Sequence, residues 1–97
     1  MFGQMKDMYQ MQKKAKELKK KLKEIEIEAE EDGVLVVVNA AQDVVSVEFD
    51  DAILAPENKR RIEKNLKIAL ERAQKKAQEI AAEKMKPLMG NMGLPNA

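Results

Sequence analysis

The chain contains no cysteine and no histidine. Without cysteine there is no disulfide framework, no thiolate metal site and no thiol nucleophile. Without histidine, the usual general base near neutral pH and the commonest metal ligand are both gone. Tryptophan is missing as well. One tyrosine and two phenylalanines leave no aromatic platform for stacking the bases of a single strand. The four glycines and three prolines build no phosphate-cradling loop. No serine stands in a nucleophile motif, and no carboxylate pair has a catalytic setting. An enzyme is therefore not expected, nor a cofactor, a metal or a small-molecule substrate. No apolar run reaches the ~18 residues that cross a bilayer. The N-terminal residues lack the apolar core of a signal peptide, so a cytoplasmic location and no membrane association are expected.

Charge is abundant but unevenly placed. Eighteen Lys and Arg against seventeen Asp and Glu give a formal charge of +1. A first stretch, from about Gln4 to Lys23, carries Lys13, Lys14, Lys16, Lys19, Lys20, Lys21 and Lys23 against Asp7 and Glu17. A second, from about Glu57 to Lys86, carries Lys59, Arg60, Arg61, Lys64, Lys67, Arg72, Lys75, Lys76, Lys84 and Lys86. Glu24, Glu26, Glu28, Glu30, Glu31 and Asp32 lie between them. The near-neutral total hides basic ends, and basic patches are the footprint of a polyanion partner.

Periodicity predicts a single α+β domain over residues 1–97 in the order α-β-β-β-α. Met8, Met11, Ala15, Leu18, Leu22 and Ile25 recur at the spacing of a helix seam, giving an N-terminal helix within residues 1–24. At 100° per residue, Lys13, Lys16, Lys20 and Lys23 lie opposite that seam, with Lys14, Lys19 and Lys21 beside it. The period then changes to two. Ile25, Ile27 and Ala29 alternate with Glu26, Glu28 and Glu30 in a half-buried strand. Asp32 and Gly33 suit a type I′ turn. Val34 to Val38 has the composition of a central strand covered on both faces. Residues 39–43 form a second turn, and Val45, Val47 and Phe49 alternate with Ser46 and Glu48 in a third strand. A three-stranded antiparallel meander over 25–50 follows from the short connections. Pro56 and Glu57 suit a helix start, and the C-terminal helix is expected over 56–86. Its Ala69, Ala73, Ala77 and Ala81 make an i, i+4 ridge of small side chains. Pro87 is expected to end that helix, leaving residues 87–97 as a flexible tail.

A chain of 97 residues buries only roughly 60–65% of its unfolded surface, so its core is thin. A helix covers one face of a meander, while the second strand asks for cover on both. The helices also outrun strands of about 17 Å. A symmetric homodimer resolves both, with Val34, Val36, Val38, Val45, Val47 and Phe49 meeting at the interface. The alternative is a monomer with a small core and frayed helix ends.

Lysine and arginine on projecting helices can neutralise phosphates and release counterions. The competing explanation is a solvated polar face. The alternating glutamates lack calcium-loop spacing and are expected to be solvated. Met8 and Met11 are expected to pack at the helix end, while for the methionines of the tail simple packing and a partner-binding surface are both left open.

Several of these segments together resemble a known family. The opening Met1, Phe2 and Gly3 is followed by Met8 through Lys14 and a charged run into the alternating strand. Gly33 to Asn39, Val44 to Glu48, Leu70 and Ala73, Lys76 to Glu79, and Glu83 to Met85 follow in order, before Gly90, Gly93, Leu94 and Pro95. The order is similar to that of the YbaB/EbfC family of bacterial nucleoid-associated proteins, over nearly the whole chain. Two departures fall in loops: members usually carry more glycine before the second strand and in the turn after it, where this chain has Glu30 to Gly33 and Asn39 to Asp43. The resemblance implies a tweezer-like homodimer whose helices bind double-stranded DNA in nucleoid organisation or gene regulation. The candidate DNA contacts are then Lys13, Lys14, Lys16, Lys20, Lys21 and Lys23, with Arg60, Arg61, Lys64 and Lys67. They are expected to touch phosphates with low sequence specificity, because lysine is a point charge poorly suited to bidentate base reading. The alternative is a protein-interaction module that uses the methionine-rich helix ends and tail, with no nucleic-acid role. A third possibility is an RNA or replication-accessory role.

Overall fold

A computed structural model describes the backbone of residues 2–90 and the side chains of residues 7–87. Helix α1 spans Phe2–Glu24, followed by strands β1 (Glu26–Glu31), β2 (Val34–Asn39) and β3 (Val44–Phe49). Two short 3-10 turns, Asp51–Ile53 and Pro56–Asn58, lead into α2, which spans Lys59–Gly90. The fold is α+β, with a β-meander between two helices.

The sheet is antiparallel in the order β1-β2-β3. Opposite residues share a face, so the register sorts the side chains. Val38 faces Ile27, Val36 lies between Ala29 and Val47, and Val34 between Glu31 and Phe49. That face meets α2, which runs over β1 and β2. Val34, Val36 and Val38 are fully buried, as are Ala69, Ala73 and Ala77. The alanine ridge brings the helix axis close to the valines, and Ile62, Leu66, Leu70 and Ile80 fill in beside it.

Three expectations are corrected here. Val34, Val36 and Val38 are sealed beneath their own helix and have no surface left for a partner. Among the described residues the second face of β2 has no covering layer; Val37 is buried there between its cross-strand neighbours Glu28 and Ser46, while Leu35 is half-buried. Helix α2 also continues through Pro87 to Gly90. Proline restricts the residue before it more than those after it. The carbonyl it leaves without a donor lies in a stretch that is exposed from Ala82 to Pro87, where water can satisfy it. The rest of the expected tail, residues 91–97, lies outside the described residues.

The turns show how the strands are held in register. Asp32 and Gly33 both have positive φ, 48° and 87°, as a type I′ turn requires. In the second turn the Asn39 side chain donates to Asp43 Oδ2 at 3.0 Å and accepts from the Asp43 N–H at 3.0 Å. β3 carries a bulge that places Val44, not Val45, opposite Val38. At the same end of the sheet the Ala40 N–H donates to the Leu22 and Ile25 carbonyls, at 3.1 and 2.9 Å, which ties down the end of α1.

Both helices outreach the sheet. α1 joins the core through Leu18, Leu22 and Ile25, while every side chain from Asp7 to Glu17 is exposed. Met8 and Met11 are among them, so the expected packing at the helix end is not formed among the described residues. The molecule measures 66 × 27 × 16 Å.

Candidate nucleic-acid interface

α1 forms because an apolar seam recurs at helical spacing among residues of good helix propensity. Only its last two turns find a core to pack on, so the preceding turns carry lysine into water. Lys13, Lys16, Lys20 and Lys23 are exposed and share the face opposite Leu18 and Leu22. Lys14 and Lys21 are exposed on its flank. From Lys13 to Lys23 the face is about 15 Å long at 1.5 Å per residue. None of these lysines has a carboxylate partner among the described residues, so their charge is available to an external anion.

On α2, Arg60, Lys64 and Lys67 are exposed on the side away from the alanine ridge. Arg61 is placed differently. Its Nε and Nη2 donate to Asp32 Oδ2 at 2.9 and 2.7 Å, and Asn65 donates to the same oxygen at 3.3 Å. Arg72 Nη1 pairs likewise with Glu31 Oε2 at 2.6 Å. Two arginines thus hold α2 to the β1–β2 turn. Pairs this exposed stabilise little, but they turn the guanidinium of Arg61 toward the sheet rather than toward a ligand. These pairings join residues far apart in sequence, so no local spacing signals them.

The open face of the sheet carries the opposite charge. Glu26, Glu28, Glu30 and Glu48 lie on it, and no lysine or arginine occurs between Lys23 and Lys59. A polyanion is repelled there and drawn to the helices. Among the described residues no acidic cluster could hold a metal ion, and no helix is long and apolar enough to cross a membrane.

An apolar strip remains along the other edge. α2 lies over β1 and β2, so Val45, Val47 and Phe49 on β3 are 47, 39 and 39% exposed. These large apolar side chains lie along an edge strand of the sheet, exposed to solvent among the described residues. The methionine-rich surface is only partly visible. Met8, Met11 and Met85 are exposed, while Met89 and Met92 lie outside the described side chains.

Helix order, meander and segregated charge all accord with one family, whose sequence model matches residues 1–92. This chain belongs to the YbaB/EbfC DNA-binding family. Nucleoid-associated proteins from Afipia carboxidovorans and Bradyrhizobium diazoefficiens are 34% and 38% identical to it over 95 residues, 96% of this chain and 90% of each relative. The crystal structure of an uncharacterized Helicobacter pylori protein matches with a TM-score of 0.70 at 26% identity, over 95% of this chain and 96% of that one. YbaB/EbfC proteins are classed by DNA binding and are not an enzyme family.

Proposed function

We propose that this YbaB/EbfC protein is a nucleoid-associated homodimer in the cytoplasm that binds double-stranded DNA by neutralising phosphates. Low sequence specificity follows, and with it a role in nucleoid organisation or gene regulation. The observation that carries the reading is the exposed α1 lysine face, which lies opposite Leu18 and Leu22 and has no carboxylate partner among the described residues. Lys13, Lys14, Lys16, Lys20, Lys21 and Lys23 supply the contacts, with Arg60, Lys64 and Lys67 adding to them from α2. Arg61 is reassigned to holding α2 on the β1–β2 turn.

The dimer rests on the β3 edge. Val45, Val47 and Phe49 are the expected interface residues that remain exposed, and burying them against a second copy removes an apolar strip from water. Val34, Val36 and Val38 support that strand from behind.

Binding of labelled random-sequence duplex DNA across a salt series tests this function. Each phosphate neutralised contributes about −0.9 to the log–log slope. The four lysines of the face opposite the seam, Lys13, Lys16, Lys20 and Lys23, by themselves predict about −3.6 per chain and roughly twice that for a dimer. The flanking and α2 residues steepen it further. Replacing Lys13, Lys16 and Lys20 together by glutamate should abolish most of the affinity while the far-UV spectrum stays unchanged. No binding by the native protein at low salt would sink the proposal.

A further inference from the structure

The single tyrosine of the chain lies on the lysine side of α1, not in its apolar seam. Tyr9 is 69% exposed. It lines a shallow depression with Gln12, Lys13 and Lys16. These residues are related by i, i+3, i+4 and i+7, the spacing that brings side chains together on one helix face. Among the described residues nothing in the fold accounts for an aromatic ring there. It adds no burial to the core, its helix propensity is below that of the surrounding lysines, and it leaves apolar surface in water.

The chemistry of the depression is specific. Two ammonium groups flank a phenol and a carboxamide, and both of the latter are neutral hydrogen-bond donors. Phosphate oxygens accept from tyrosine and glutamine as well as from lysine and arginine. We infer that Tyr9 and Gln12 contact DNA in their own right, as neutral donors to the phosphates that Lys13 and Lys16 attract. The inference rests on the DNA-binding reading of α1 and adds a second kind of contact to it. Lysine contacts weaken as salt rises, because they owe their strength to released counterions. A neutral donor releases none, so its contribution persists across the salt range.

The test compares Tyr9→Phe, Gln12→Ala and Lys13→Ala with the native protein in the duplex salt series. Tyr9→Phe and Gln12→Ala should each weaken binding about three- to tenfold, the range of one net hydrogen bond, at every salt concentration. Their salt slopes should equal that of the native protein. Lys13→Ala should instead flatten the slope by about 0.9 per bound chain, roughly twice that for a dimer. With one tyrosine and no tryptophan, intrinsic emission reports this position alone, and it should change in step with DNA binding. Tyr9→Phe binding as tightly as the native protein overturns the inference, as does native binding that leaves the emission unchanged. Absence of native binding removes this inference and the proposed function together. Loss of the tyrosine effect alone leaves the proposed function standing.

Discussion

Gly33 has little freedom to change. Its φ is +87°, and a Cβ there would stand 2.8 Å from Ile53 Cγ2. Gly33→Ala combines a left-handed backbone with a close contact, and should cost about 1–3 kcal/mol in urea unfolding. Gln42 is the opposite case. It has φ 73° with a full side chain, in the turn where the family resemblance leads one to expect glycine. Left-handed backbone costs a non-glycine residue about 1–2 kcal/mol, partly offset by the entropy glycine loses on folding. Gln42→Gly should therefore raise the melting temperature slightly. A fall would show that the Gln42 side chain contributes more than its backbone strain costs.

Among the elements, α2 is the one whose packing distance the sequence sets most clearly. Ala69, Ala73 and Ala77 are fully buried above the β2 valines, so Ala73→Leu should overfill that contact and destabilise by about 1–3 kcal/mol. A thermal melt unchanged by this substitution would mean that the helix can lift off the sheet at no cost. The alanine ridge, the period-two strands and the Asp32–Gly33 turn were legible because each is a local pattern. The pairing of Arg61 with Asp32 and of Arg72 with Glu31 was not, since it depends on where a helix lands after the whole meander has formed. Arg61→Ala should accordingly leave the DNA salt slope unaltered, in contrast to the lysine substitutions on α1. A slope flattened by about 0.9 per bound chain would return Arg61 to the phosphate contacts.

For the molecule as a whole, two surfaces of opposite charge and one apolar edge divide the work. On the proposed reading, the acidic open face repels DNA, the lysine face attracts it, and β3 offers hydrophobic area to a second chain. Replacing Val47 and Phe49 together by glutamate should place like charges across the proposed interface and yield a monomer in sedimentation. The monomer should keep its helix content and show about half the native salt slope, since each chain brings one set of lysines. A dimer that survives this double substitution would move the interface away from β3.

The sequence by itself determined the element order, the turn types, the basic helices and the acidic strand, because periodicity, turn chemistry and charge are properties of neighbouring residues. It also placed valine in abundance in the middle of the chain. Only the tertiary structure decided which valines are spent inside. α2 is one helix wide and covers β1 and β2 but not β3, so Val34, Val36 and Val38 become core while Val45, Val47 and Phe49 remain exposed. Strand alternation assigns a residue to a face. Whether anything covers that face depends on where a distant helix comes to rest.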